Sequence, residues 1–236
     1  GTNDVSPNQI SCEAYGYKWD RKSSTCYGFS SNFKIGKLFP NTTNTKIGAE
    51  NVTNKGTENT FINGTKNTTK GNNRNLLICG ESHEVSNGIS NALVFGTYGK
   101  ALRQAEVVIG GGVTGENPKA GLNQTSVVQL IGATAGNTPT NLTIAGGSST
   151  IAVQNNSILG FEAKVIALVS GGSGGTAGDY GYFEIKGAVR VNNGYSTAFS
   201  QSTATIASTG TTGTVSIADV STGLITVQVR GTANVN

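Results

Sequence analysis

The chain has 236 residues, 13% of them charged and 36% hydrophobic, with 34 glycines and no Met, a composition foreign to helical bundles and to disordered tails alike. The net charge of +4 is uneven: residues 1–126 carry 13 Lys/Arg against 9 Asp/Glu, and residues 127–236 carry 4 against 4. That basic excess serves solubility as readily as contact with anionic glycans or phosphates at a cell surface, and no nucleic-acid partner is expected; no run of about 18 apolar residues occurs, so membrane insertion is not expected either.

Short Val/Ile/Leu runs alternate with Thr/Ser/Asn/Gly turn signals roughly every 8 to 12 residues, and no stretch keeps a helical apolar period, so the chain reads as all-β. Gly at position 1, without a Met or a basic-apolar leader, reads as a fragment or a processed product.

Residues 1–44 form a small N-terminal segment, a capping or attachment element. Cys12 and Cys26 bracket an aromatic stretch containing Tyr15, Tyr17 and Trp19, with Tyr27 and Phe29 beyond. The segment is too short for a core of its own, and a Cys12–Cys26 disulfide would suit an extracellular particle. Metal binding is disfavoured because His83, the single His, is far away in sequence. Cys79 reads as a small packed apolar side chain.

Residues 45–125 carry a repeat. Gly48, Gly64, Gly80, Gly96 and Gly112 recur every 16 residues; Asn51, Asn67, His83, Gly99 and Gly115 follow three later; Asn59, Asn75, Asn91, Val107 and Asn123 follow eleven later. Sixteen residues divide into two strands and two tight turns, so a β-roll, or β-solenoid, of about five coils is expected. The first strands are apolar without alternation: Phe61-Ile62, Leu76-Leu77-Ile78, Leu93-Val94-Phe95 and Val107-Val108-Ile109. A strand apolar on both faces must be covered on both, and the coil interior covers one, so three chains packed about an axis are expected to cover the other. The second strands, around Thr53-Asn54-Lys55, Thr69-Lys70 and Leu102-Arg103, read as solvent-facing. Asn59, Asn75, Asn91 and Asn123 read as coil-to-coil hydrogen-bonding positions and His83 as a turn residue.

Residues 126–236 read as seven or eight strands, among them 157–169, 181–191, 204–206, 214–217 and 224–230, several with period-two alternation. One buried and one solvated face per strand suits a jelly-roll-like β-sandwich. The glycine-rich run 171–178 reads as a flexible hairpin tip; no helix or Lys-Ser/Thr follows it to make a phosphate site.

No constellation for catalysis stands out. Glu162 and Glu184 fall on strands, Asp179 on a loop, and a Ser-His-Asp arrangement would need His83, which nothing local positions. The chain reads as a non-enzyme without cofactors. The exposed aromatics Tyr98, Tyr180, Tyr182 and Tyr195 are candidate receptor contacts. Asn-x-Ser/Thr sequons at Asn41, Asn51, Asn63, Asn67, Asn123, Asn141 and Asn155 would suit a glycosylated surface protein, but chance supplies such triplets in a chain this rich in Asn and Thr.

With its Gly-x-x-Asn turns at 48–51 and 64–67, the stretch 45–124 resembles the left-handed β-roll of trimeric autotransporter heads and similar repeats of phage fibres. Residues 126–232, through Asn141-Leu-Thr-Ile, Phe161-Glu-Ala-Lys-Val-Ile-Ala, Phe183-Glu-Ile-Lys-Gly-Ala-Val-Arg and Ile225-Thr-Val-Gln-Val-Arg-Gly, resemble a C-terminal module of bacteriophage tail fibres and spikes. The resemblance implies a homotrimeric virion tail component, extracellular in action, whose partners are other phage tail proteins and a bacterial surface glycan or protein. It also implies a further Trp-containing strand after Asn236. A bacterial trimeric adhesin head and a purely structural shaft or decoration protein are the rival readings.

Overall fold

The computed structural model describes residues 8–14, 18–27, 44–113, 115, 118–144, 147–148, 150–210, 212–220 and 222–235. They are nearly all β, with one short helix among them, and the chain forms two compact units, Gly1–Thr43 and Asn44–Asn236.

In the first unit, helix α1 (Gln9–Ala14) starts at Asn8, whose Oδ1 accepts a hydrogen bond from Ser11 N–H at 2.8 Å, satisfying one of the orphan donors of the first turn. Strands β1 (Lys18–Asp20) and β2 (Thr25–Tyr27) pair antiparallel. Cys12 is buried and bonded to Cys26. Tyr15, Tyr17 and Phe29 lie outside the described residues.

The second unit begins as a flattened β-solenoid. Its larger wall is a parallel sheet of β3 (Thr45–Ile47), β5 (Glu58–Thr65), β7 (Arg74–Glu81), β9 (Leu93–Thr97) and β11 (Val107–Gly111). The opposite wall is β4 (Val52–Thr53), β6 (Thr68–Thr69), β8 (Glu84–Val85) and β10 (Lys100–Ala101). Ile62, Ile78, Val94 and Val108 fill the interior from the larger wall and Thr69, Val85 and Ala101 from the other, all fully buried. This core grows by one layer per coil, so each coil relies on its neighbours.

Why the coils stack at this spacing is clearest at Gly48, Gly64, Gly80 and Gly96. Each has a positive φ, and a Cβ on any of them would collide with a carbonyl oxygen of the following coil, at Gly64, Gly80, Gly96 and Gly110 respectively. Only glycine allows that approach.

The repeat departs from the sequence reading in its last coil. Leu77 pairs with Leu93 sixteen residues on, but Leu93 pairs with Val107 and Gly96 with Gly110, fourteen residues on. Gly112 therefore stands outside the glycine column and Asn123 outside the asparagine column. The corner that the previous coil makes with Ser86 to Ala92 is made here with Leu102 to Glu106, two residues fewer, and the Glu106 carboxylate replaces backbone partners by accepting from Leu102 N–H at 2.8 Å and Arg103 N–H at 2.9 Å. Arg103, expected at a solvent-facing strand, is buried against Glu106. Four coils result rather than five, because β12 (Gln124–Val127) returns antiparallel to β11, and parallel winding stops there. The pairing Val107↔Val127 also carries the solenoid sheet past a boundary drawn at 125/126.

Beyond it come short strands β13 (Leu130–Ile131), β14 (Thr140–Asn141), β15 (Thr143–Ile144) and β16 (Ile151–Ala152), then three long ones, β17 (Ser157–Leu168), β18 (Tyr180–Asn192) and β19 (Tyr195–Ser208), and finally β20 (Thr214–Val220) and β21 (Leu224–Arg230). β17, β18 and β19 form one antiparallel sheet; β14, β16 and β20 pair with β21 in another. β13 and β15 pair separately, and Ile144 of β15, Ile217 and Ile225 meet Val165, Phe183 and Ile185 in one apolar cluster. The run 171–178 is anchored: Gly174 N–H donates to Asn234 O at 2.9 Å, and Val169 and Val235 are buried beside it.

Candidate functional site

The outer face of the larger solenoid wall is the first candidate. Because every second residue of a strand points outward, the non-alternating apolar runs place one column of Phe61, Leu77, Leu93 and Val107 there. A neighbouring column holds Cys79, Phe95 and Ile109. Phe61 is 38% exposed and Ile109 55%, while Leu77, Leu93 and Phe95 are half-buried by one another. Val127 on β12 extends the face at 56% exposure. The other wall is polar outside: Glu84 receives Lys100 Nζ at 2.8 Å and Lys70 Nζ at 3.1 Å. Partial burial raises the Glu84 carboxyl, but the hydrogen bonds and charges of Lys100 and Lys70 outweigh it and hold its pKa below the usual value.

One corner of the coil is a hydrogen-bonded column. Asn51 Oδ1 accepts from Asn67 N–H at 3.1 Å, and Asn67 Oδ1 accepts from His83 N–H at 3.0 Å. Asn51 and Asn67 also donate their amides to Gly64 O and Gly80 O at 2.7 and 2.9 Å. Gly99 N–H donates to His83 Nδ1 at 2.9 Å, which leaves Nε2 as the protonated nitrogen facing Cys79 O at 3.2 Å. Burial holds the His83 pKa below its ordinary value, outweighing the opposing effect of its backbone contacts at Cys79, Gly99 and Gly96. His83 thus serves as a neutral structural group in a closed column. Asn67 is fully buried, so this sequon is closed to glycosylation in the folded chain.

The asparagines eleven residues after each glycine line the other corner. Asn59 Nδ2 donates to Asn75 Oδ1 at 2.6 Å and Asn75 Nδ2 to Asn91 Oδ1 at 2.8 Å. All three have positive φ, as does Ala105 at the equivalent place in the shortened coil. Asn123 instead donates to Gly111 O at 3.1 Å.

The four tyrosines do not converge. Tyr180 and Tyr182 stand opposite Leu168 and Ile166 across β17 and β18. Directly opposed residues share a face, so these four side chains form one patch, with Ile166 78% and Leu168 72% exposed. Along the same face run Glu162, Lys164, Glu184 and Lys186, joined by ion pairs of 3.2 to 3.9 Å. Tyr195 pairs with Asn192 at the far end of β18, about 33 Å from Tyr182 at the rise of a strand. Tyr98 sits in a solenoid turn with φ +56 and is half-buried. Ile166 and Leu168 escaped the sequence reading although the alternation of 157–169 contains them: Leu159, Phe161, Ala163, Val165 and Ala167 take the inner phase, which puts Ile158, Ile166 and Leu168 outside.

Among the described residues no group of three His, Cys, Asp or Glu side chains is arranged to hold a metal ion, and no helix is long and apolar enough to cross a membrane. No protein-family model, no curated protein and no solved structure matches the chain. The functional reading therefore rests on the fold and its surfaces.

Proposed function

We propose that the chain is a non-catalytic attachment protein of a bacteriophage tail, a fibre or spike component that works as a homotrimer and presents a binding surface to a bacterial cell. In this reading the outer columns of the larger solenoid wall pack about the three-fold axis, and the second module closes as a jelly-roll-like β-sandwich at the receptor-facing end. The observation that carries it is the pair of outer columns, Phe61, Leu77, Leu93 and Val107 beside Phe95 and Ile109, on a wall whose opposite side is already filled by the chain's own core. An apolar strip of that kind is ordinary at a subunit interface and costly in water. The resemblances to trimeric autotransporter heads and phage fibres supply the number three and the virion setting. Absence of catalysis is supported by the acids themselves: Glu162 and Glu184 lie in an exposed lysine lattice and Glu106 is bound to Arg103.

Attachment by three weak sites on one rigid body gains from effective concentrations of about mM, so a single site need not bind tightly. The test is adsorption of the purified, fluorescently labelled chain to a panel of bacterial cells after its mass in solution is measured. Trimers that adsorb to a subset of strains are expected. Trimers that adsorb to none would transfer the reading to a structural shaft.

A further inference from the structure

The geometry points to a binding site for a carboxylated saccharide in the cleft between β19 and β20. Its chemistry deepens the attachment reading above and takes its biological meaning from it, while the geometry stands independently. β19 pairs with β18 and β20 with β21, so each is the free edge of its sheet, and no strand ladder joins the two edges among the described residues. Gln201 Oε1, accepting from Ile217 N–H at 3.0 Å, ties them near mid-strand. Towards the end of β19 they leave a shallow, open cleft of about 630 Å³.

The lining is specific in character. Thr205 and Ser208 from β19, and Thr212 and Thr214 from the β20 side, supply hydroxyls, while Phe183 beneath them is buried in the apolar core and offers no open face. Arg230 is the cation of the cleft. Its register opposite Thr214 brings it there, and its Nε–H donates to Asn137 O at 2.7 Å, which fixes the guanidinium plane. That bond uses one of five donors, and the others make no hydrogen bond to the described residues. No carboxylate lines the cleft; Asp179 lies against Gly210 beside it. Hydroxyls that both donate and accept suit a polyol, and a single preset guanidinium suits one carboxylate held by two parallel hydrogen bonds. A phosphate would need more positive charge or a nest of backbone N–H groups, and an apolar ligand would leave the hydroxyls unpaired.

The experiment is isothermal titration and chemical-shift mapping of the full chain with glucuronate, galacturonate and N-acetylneuraminate, their methyl esters, and inorganic phosphate. At least one sugar acid is expected to bind with a dissociation constant of about 0.1–10 mM, its methyl ester about tenfold more weakly, and phosphate more weakly still. Arg230→Gln, which leaves an exposed site otherwise intact, is expected to lower affinity for the acid at least tenfold and to remove the preference over the ester. Ser208→Tyr, which fills the cleft from an exposed position, is expected to abolish binding of both. Equal affinity for acid and ester, phosphate binding as tight as the sugar acid, an unchanged affinity in both variants, or no binding at 20 mM of any acid (about twice the weakest constant expected) would overturn the site. Cell adsorption by the same variants separates the two readings. Unchanged adsorption by Arg230→Gln with no sugar binding sinks the cleft and spares attachment, whereas sugar binding without adsorption by the wild type sinks attachment and spares the cleft.

Discussion

At His83 an imidazole stands where the two coils below it use asparagine. Its Nδ1 is occupied by Gly99 N–H and its Nε2–H faces Cys79 O, so the corner fits the neutral ring. In the unfolded chain His83 takes up a proton near its ordinary pKa of about 6.5, while the folded corner resists it. The unfolded state then binds more protons, so stability present above about pH 6.5 is lost as the pH falls. Urea midpoints measured from pH 8 to pH 5 are expected to drop for the wild type and to drop less for His83→Asn, which restores the residue seen at Asn51 and Asn67. An identical pH slope in the two proteins would contradict this account of the corner.

The asparagine ladder makes a second prediction at this scale. Asn75 both accepts from Asn59 and donates to Asn91, at φ +55. Asn75→Ala removes two hydrogen bonds and leaves a Cβ in the left-handed region without side-chain compensation, at a cost of about 1–3 kcal/mol. Asn75→Gly relieves the backbone part and is expected to cost less. Chemical denaturation of the two variants ranks them.

At the scale of the element, the shortened last coil is held by a buried ion pair. Arg103 binds the Glu106 carboxylate and also Ala152 O, which belongs to the second module, so one side chain links the two halves of this unit. Its Nε and Gln154 Oε1 are buried without a hydrogen-bond partner among the described residues. Glu106→Ala strands a buried guanidinium and two backbone N–H groups, and is expected to destabilise the unit by about 3–5 kcal/mol, read as a shift of the urea midpoint. The double change Arg103→Met/Glu106→Leu removes both charges and is expected to cost less than the single one, which would distinguish an unpaired charge from lost packing.

Much of the solenoid was legible because a residue with no alternative recurs: glycine, wherever a carbonyl of the next coil passes within contact of the Cα. The period of 16 follows from Gly48, Gly64, Gly80 and Gly96, and the interior from the apolar runs beside them. The final coil was not legible. Gly112 kept the numerical period by coincidence, while Gly110 took the structural place, and nothing in Leu102-Arg103-Gln104-Ala105-Glu106 announces that a carboxylate replaces two backbone residues in a turn. The sequence marks only 204–206 of β19, which runs from Tyr195 to Ser208. Its Ser, Thr and Ala residues lack the apolar alternation of a half-buried strand because most of them are exposed.

For the whole molecule, the candidate surfaces were legible in part. Tyr180 and Tyr182 were visible as aromatics, but their union with Ile166 and Leu168 depends on the β17–β18 register, which no local residue sets alone. Nothing in the sequence singles out Arg230, since the cleft arises from the edges of two sheets. The outer solenoid wall, in contrast, was announced by its unbroken apolar runs, and the assembly proposal grows from it. Introducing a charge there should cost the lone chain little, because Phe61 and Ile109 contribute little to the monomer's own core. Phe61→Asp/Ile109→Asp is accordingly expected to keep the β spectrum by circular dichroism while lowering the molecular mass.

The mass of the unmodified chain in dilute solution is the most direct test. Sedimentation equilibrium between about 1 and 50 μM, a span that brackets ordinary subunit affinities, is expected to give a single species of three times the 24.1-kDa chain. A folded species of 24.1 kDa that persists across that range would mean that water, and not a sister chain, covers Phe61, Leu93 and Ile109, and the attachment-trimer account would be wrong.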